Sequence, residues 1–288
     1  MRPTVPAKRR RSVGQSPAGA AWIQGLPQAV TKLADRWSLT IDSPIDTAAS
    51  YSWVATCNRA DGSPAILKLG FPHMEAEQEI AGLAFWAGEP TVHLLDADRG
   101  LNAMLLERCI PGTSLRSVAE AEQDVVIASL LRRLWRTPGP NQPFRSLNLM
   151  IEHWCQESVA KSELWPDKAL AAEGIRVFED LLSDQRDQAL LATDLHAGNV
   201  LSAQRMRWIV IDPKPFLGDP CYDATQHLLN CKDRLRANPS QIIKRFANLL
   251  EVDEQRVRQW TFARLAVECA VDIDMTASHA LARCLSNW

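Results

Sequence analysis

Apolar residues recur along this chain with two different periods, and the places where the period changes divide it. Over residues 21–37, AWIQGLPQAVTKLADRW, the residues Ile23, Leu26, Val30 and Leu33 fall at helical spacing, which predicts a lead-in helix in spite of Pro27. Residues 50–69 change to a strand pattern. Tyr51, Trp53 and Val54 form a short run, Asp61-Gly62 is a turn signal, and Ala65 to Leu69 return as a second strand with Lys68 between two leucines. Helical period resumes over 73–88 through Ile80, Leu83, Ala84 and Trp86, and stops at Gly88 ahead of Pro90. Residues 92–109 read as another hairpin, turning near Asp98 to Gly100 and ending in Met104, Leu105 and Leu106.

Beyond Pro111 and Gly112 helices dominate. Residues 122–135 place Val126, Leu130, Leu131 and Leu134 on one stripe; 137–145, TPGPNQPFR, predict a Pro-rich loop; and further helices are expected near 146–162 and 168–182. The segments 239–250 and 253–273 predict two more helices, with Ser240 and Asp253 as caps. Strands with one helix, then a break, then mostly helices imply an α+β chain with two unequal lobes around a cleft and a boundary near 107–112. The expected division is a basic tail over 1–20, an N-lobe over 21–106, a hinge over 107–112 and a helical C-lobe over 113–288.

Composition narrows the classes. The chain has 288 residues, 46% apolar and 23% charged, the balance of a soluble globular protein large enough for two cores. Its apolar runs, such as WIVI at 208–211, fall far short of the roughly 20 residues that span a bilayer, so no membrane segment is expected. The seven cysteines are scattered without a CxxC pair, which suggests neither a disulfide framework nor a zinc site and fits a reducing cytoplasm. The six histidines form no HxxxH pair, so a metal hydrolase is not indicated.

Arg2 and Lys8 to Arg11 put five positive charges, and no acid, into a tail too poor in large apolar groups to order itself, and no secretion-type apolar region follows it. Without those five, 27 basic residues face 34 acidic ones, a net charge of −7 that would attract a cationic small molecule and repel nucleic acid. The ten tryptophans fall on helix stripes and strand ends, which reads as core and not as a stacking platform for bases. A monomer is expected.

Chemistry concentrates in LLATDLHAGNVLSAQRMRWIVIDPKP, residues 190–215. After Asn199 the pattern Val200-Leu201 out and Trp208 to Ile211 back reads as a short hairpin that returns Asp212 close to Asn199. An amide oxygen beside a carboxylate is a hard-oxygen pair suited to Mg2+, which keeps its other ligands as water and phosphate. Asp194, at the far end of the same loop, can then face a substrate hydroxyl. That is the layout of phosphoryl transfer.

This DxxxxN followed by D resembles the kinase catalytic loop and metal-binding aspartate in the form used by aminoglycoside phosphotransferases. TDLHAGN keeps the second histidine of their usual HGDLHxxN as His196. The blocks AWIQGLPQAVTKLADRW, RADGSPAILKL, VHLLDAD, AMLLER, IDPKPFLGDPCYD and FARLAVECAVDI are similar to successive blocks of the streptomycin 6-kinase and hydroxyurea phosphotransferase group, over roughly residues 21–275. The resemblance implies a bilobal protein-kinase-like fold, with a small antiparallel-sheet N-lobe carrying one key helix and a larger, mainly helical C-lobe. It also implies ATP and Mg2+ as cofactors and transfer to the 6-hydroxyl of streptomycin, giving antibiotic resistance. Hydroxyurea or another small hydroxyl compound is the alternative acceptor.

By the same resemblance Asp194 accepts the hydroxyl proton, Asn199 and Asp212 hold the metal, and Lys68 holds the nucleotide phosphates. Glu79 is its expected partner, with Glu75 on the same helix face in reserve. The adenine would meet backbone groups of Glu107 and Cys109 with Leu106 against its ring, under a covering loop over 46–53 that has no glycine and offers Ser50 and Ser52. Streptomycin carries guanidinium groups, whose fork geometry calls for carboxylates. Glu268 and Asp272, four apart on one helix, are candidates, and so are Asp219 and Asp223, each with a helix cap as its competing role. One departure stands out: Ala192 occupies the place of the histidine that ties the loop to the metal-binding segment, and Thr193 that of the adjacent Gly or Trp. Loss of that support implies a lower rate, or a catalytically degenerate nucleotide-binding relative.

Overall fold

The computed structural model describes residues 13, 16–45, 51–165, 167–184, 186–268 and 275–286. The chain divides into two compact units, Met1–Gly112 with Ser202–Ile209, and Thr113–Leu201 with Val210–Trp288.

In the first unit, helix α1 (Pro17–Arg36) starts where the Ser16 hydroxyl accepts the Gly19 N–H at 3.0 Å, inside the stretch expected as a tail, and continues through Pro27. Strands β1 (Thr40–Pro44), β2 (Ser52–Asn58), β3 (Pro64–Gly70), β4 (Leu94–Asp98) and β5 (Ala103–Glu107) form an antiparallel sheet in the order β1-β2-β3-β5-β4. Because strand side chains alternate, Trp53, Ala55 and Cys57 of β2, Ala65, Leu67 and Leu69 of β3, and Ala103 and Leu105 of β5 share one face. They bury against Leu26, Val30 and Leu33 of α1 in a single cluster. The same alternation turns Lys68 to the opposite face, in register with Val54 on one side and Met104 on the other. Helix α2 (Glu79–Trp86) is shorter than its sequence period suggests: residues 74–78 are turns, and only then does the helix begin. Strand β1 escapes the sequence reading because it is a short edge strand, exposed along most of its length and without a clean alternation.

The second unit contains α3 (Glu120–Leu134), α4 (Leu147–Ala160), α5 (Lys168–Ser183), α6 (Pro220–Asn230), α7 (Lys232–Ala237), α8 (Pro239–Leu250), α9 (Glu254–Glu268) and α10 (Met275–Leu285). Helix α9 is its spine, burying Val257, Trp260, Phe262 and Ala263. Where it crosses α5, a methyl on Gly174 would lie 2.5 Å from the Ala266 Cβ, so glycine sets the closeness of that crossing. The cap of α8 is Asn238, whose side chain accepts the Gln241 N–H; Ser240 instead lies within the first turn and accepts from Arg258. Asp253 accepts the Arg256 N–H at 3.0 Å, as a cap does. Strand β6 (Pro111–Ser114) joins β8 (Val200–Ala203) and β9 (Ile209–Val210) in a three-stranded sheet, and β7 (Ala189–Leu191) pairs antiparallel with β10 (Phe216–Gly218). Among the described residues no helix is long and apolar enough to cross a membrane.

Candidate active site

The first unit supplies a dry ion pair. Lys68 Nζ donates to Glu79 Oε1 at 2.5 Å, and the two side chains are 6% and 2% exposed. Glu79 reaches the lysine because it opens α2; Glu75 lies in the turns before the helix, so the alternative partner falls away. Ser52 is buried in β2 opposite Gly70, and Ser50 lies outside the described residues, as does most of the expected covering loop.

At the expected hinge, Glu107 closes β5. Its N–H donates to the His93 carbonyl at 2.9 Å, so the amide of this residue is already engaged within the unit. Its carboxylate takes the His93 N–H at 3.0 Å and Arg205 Nη2 at 2.8 Å, while Arg205 also donates to the carbonyls of Gly88 and Thr91. Burial acts to raise the Glu107 carboxyl, but Arg205 and the His93 N–H hold it below the ordinary carboxylate value. Cys109 is half-buried, and burial pushes its thiol up to about 11, so it is no thiolate at neutral pH.

The second unit holds the catalytic-type loop. β7 ends at Leu191, and the chain then turns sharply: the Asp194 N–H donates to the Ala192 carbonyl at 2.6 Å across Thr193, whose φ is 44°. A β-branched residue in the left-handed region is strained, and strain of this kind persists only where neighbours fix it. They do so here. The Thr193 hydroxyl donates to the Lys214 carbonyl at 2.7 Å, and the Lys214 N–H donates to the Ala192 carbonyl at 2.9 Å. Both bonds join the loop to the segment that follows Asp212, which is the tie the resemblance assigns to the histidine replaced by Ala192.

A second brace comes from α6. Asp223, fully buried, accepts the Thr193 N–H at 2.7 Å on one oxygen and the Ala192 N–H and Trp135 indole N–H, both at 3.0 Å, on the other. Burial raises its carboxyl to about 6, against the lowering effect of those donors. Asp219 caps α6 through the Cys221 N–H and also accepts from Trp260 and Arg256. The expectation that Asp219 and Asp223 meet the substrate is therefore corrected: their oxygens are engaged in building the fold. Asp272 and the side chain of Glu268 lie outside the described residues.

Asp194 itself is half-buried, and its Oδ1 accepts the Gln226 amide at 2.7 Å. Gln226 Oε1 in turn accepts from Arg264, a group that can only donate, so the amide must present its nitrogen to Asp194. Arg264 also donates to Thr225 and lies over the rings of Trp154 and Tyr222. Asp223 and Gln226 are three apart on α6, hence on one face of it. That spacing is the sequence signal by which the two braces of the loop could have been found together.

Asn199 donates its amide to the Asp194 carbonyl at 2.9 Å and toward Asp194 Oδ2 at 3.4 Å, which turns its own oxygen the other way. The Ile211 N–H donates to the Asn199 carbonyl at 2.9 Å, so the β8–β9 hairpin does return Asp212 alongside Asn199. Asp212 has φ 53° and accepts Lys214 Nζ at 2.5 Å. Among the described residues no group of three or more His, Cys, Asp or Glu side chains gathers as a metal site. One amide oxygen and one carboxylate suit Mg2+, which retains water and phosphate ligands, and do not suit zinc. His196 accepts the Gly198 N–H on Nδ1 at 3.0 Å; burial, and then the charge of Arg116, push its pKa down to about 4, so the ring is neutral.

Residues 36–275 match the family described as aminoglycoside/hydroxyurea antibiotic resistance kinase. The chain is 35% identical over 274 residues to a streptomycin 6-kinase of Streptomyces griseus, covering 92% of this chain and 88% of that one. It is 30% identical over 266 residues to a hydroxyurea phosphotransferase of Kitasatospora aureofaciens, covering 89% and 76%. Among solved structures, a choline kinase from Streptococcus pneumoniae superposes with a TM-score of 0.65 at 13% identity, covering 91% of this chain and 99% of that one. The fold is thus the protein-kinase-like one.

Proposed function

From the premise that the chain belongs to the aminoglycoside/hydroxyurea antibiotic resistance kinase family, we propose that it transfers the γ-phosphoryl group of ATP to a hydroxyl of an aminoglycoside, the 6-hydroxyl of streptomycin. The observation that supports this reading is the bonded set of Asp194, Asn199 and the Asp212 segment in one unit, which suits a proton acceptor beside two hard-oxygen ligands. In the reaction the acceptor oxygen forms a bond to the γ-phosphorus, and the bond from that phosphorus to the β–γ bridging oxygen breaks. ADP leaves with the electron pair, and the hydroxyl proton goes to Asp194.

Lys68, oriented by Glu79, binds the α and β phosphates. Asn199 and Asp212 are the residues that would hold Mg2+, which when bound supplies charge neutralisation on the phosphates. Backbone groups around Glu107 and Cys109 meet the adenine with Leu106 against its ring, and Ser50 and Ser52 serve the phosphates from the covering loop. Glu268 and Asp272 are assigned to the guanidinium groups of streptomycin, and Glu268→Gln or Asp272→Asn should raise KM for streptomycin while leaving KM for ATP unchanged. A cytoplasmic monomer would meet ATP and an incoming aminoglycoside in the same compartment.

An acceptor panel tests the assignment. Purified protein with ATP and Mg2+ should release ADP when streptomycin is added, and NMR of the product should find the phosphate on the 6-hydroxyl. The 30% identity to a hydroxyurea phosphotransferase favours a second reading, in which hydroxyurea elicits ADP and streptomycin does not. Tight ATP binding with no ADP from any acceptor would mark a chain degenerate at Ala192.

A further inference from the structure

Phosphoryl transfer spreads negative charge over the equatorial oxygens of the moving group, and an enzyme lowers that barrier with cations placed before the reaction begins. The cations around the catalytic-type loop differ in how far they are already committed. Lys214 is paired with Asp212. Arg264 is stacked on Trp154 and Tyr222 and bonded to Thr225 and Gln226. His196 is neutral and no cation, and it uses Nδ1 to cap the turn Ala197–Asn199.

Arg116, on the 3-10 turn Leu115–Ser117, stands apart from all of these. No carboxylate pairs with it among the described residues, and the side chain is exposed. Its guanidinium rests on the loop itself: a methyl on Gly198 would lie 2.7 Å from Arg116 Nε and 2.9 Å from Nη2, so the bare backbone of Gly198 admits it. Nη2 stands 3.4 Å from His196 Nδ1, a weak contact for a group with five N–H donors. Gly198 lies between the proton acceptor Asp194 and the metal ligand Asn199 in the chain. An exposed, permanently charged fork without an acid partner, laid against that stretch, is chemically matched to the oxygens of a phosphoryl group.

We propose that Arg116 contacts the γ-phosphoryl oxygens of ATP and stabilises the charge that develops on them during transfer. The proposal rests on the kinase reading above. Its prediction separates ATP from ADP, because ADP has no γ-phosphate for the fork to hold.

The test measures, for the wild type, Arg116→Ala and Arg116→Lys, the dissociation constants of ADP and of a non-hydrolysable ATP analogue with Mg2+, together with streptomycin-dependent kcat. Arg116→Ala should lower kcat about 100-fold, a loss of the size seen on removing one charge-stabilising donor. It should weaken the ATP analogue about tenfold relative to ADP, and Arg116→Lys should fall between. Equal weakening of both nucleotides would show that Arg116 only supports the loop and would overturn the proposal, as would an unchanged kcat. A wild type that binds neither nucleotide would sink the kinase reading and this proposal with it, whereas a wild type that turns over at the rate of Arg116→Ala sinks only this proposal.

Discussion

The two charged centres of this protein hold their geometry by opposite means. In the first unit Lys68 and Glu79 face each other in a dry interior, 6% and 2% exposed, and burial itself enforces the contact, since separating two buried charges forfeits their attraction without returning them to water. In the second unit Asp194, Asn199 and Asp212 are only half-buried, and their positions are set by bonds to backbone and amide groups and, for Asp212, to the Lys214 ammonium. A buried pair is rigid but intolerant of change. A braced loop stays open to ligands, and its precision depends on each brace.

The largest expected effect breaks the first centre. Lys68→Met should abolish turnover and destabilise the fold by about 3–5 kcal/mol, because the buried Glu79 carboxylate loses this ion pair. Lys68→Met with Glu79→Leu should recover most of that stability and none of the activity. Urea unfolding beside an ADP assay checks both halves; a single variant as stable as wild type would erase the contrast between the centres.

Next comes the brace from α6. In Asp223→Asn one amide hydrogen must confront the donors from Ala192, Thr193 or Trp135, so the loop shifts. Such a displacement should cost about 100-fold in kcat, with nucleotide affinity little changed. The brace also carries a pH signature. Burial raises the Asp223 carboxyl to about 6, above its ordinary value near 4, so the folded state binds the proton more tightly than the unfolded one. By this group alone, stability is fully present below about 4 and is lost as pH rises through about 6. Activity runs the other way, because three N–H donors call for the ionised acceptor: the rate of ADP release should fall as pH drops through about 6. A pH–rate profile flat from pH 7 down to about 5 would remove Asp223 from the account.

The smallest effect sharpens the question raised by Ala192. Thr193→Val keeps the shape of the side chain and removes its bond to the Lys214 carbonyl, which should cost about 1 kcal/mol of stability and about tenfold in kcat. Thr193→Ser should retain most of both. Equal rates for the valine and serine variants would mean that the hydroxyl does not replace the missing histidine.

Much of this architecture was legible along the chain because it rests on short-range pattern. Strand alternation put Lys68 opposite the α1-facing leucines, and the spacing of Asp194, Asn199 and Asp212 announced a loop and a hairpin. What sequence pattern could not supply was partner choice over distance. Asp223 reaches the amides of Ala192 and Thr193 from thirty residues away, and only its three-residue spacing from Gln226 sets it apart from a helix-capping acid. Thr193 looked like a departure from the family loop until Lys214 was found within reach of its hydroxyl. Ser240 yielded to Asn238 as a cap because the helix starts two residues earlier than a Ser240 cap requires, and Glu79 prevailed over Glu75 because the helix starts later.

The central claim is that the loop works as a proton acceptor beside a metal pair although its usual histidine is absent. Wild type and Asp194→Ala, assayed side by side with ATP, Mg2+ and streptomycin, test it most directly. The account predicts streptomycin-dependent ADP release by the wild type, its loss by at least about 1,000-fold in Asp194→Ala, and ATP affinity within about threefold between the two. ADP release that persists in Asp194→Ala, or that is absent from a wild type that binds ATP, would contradict it.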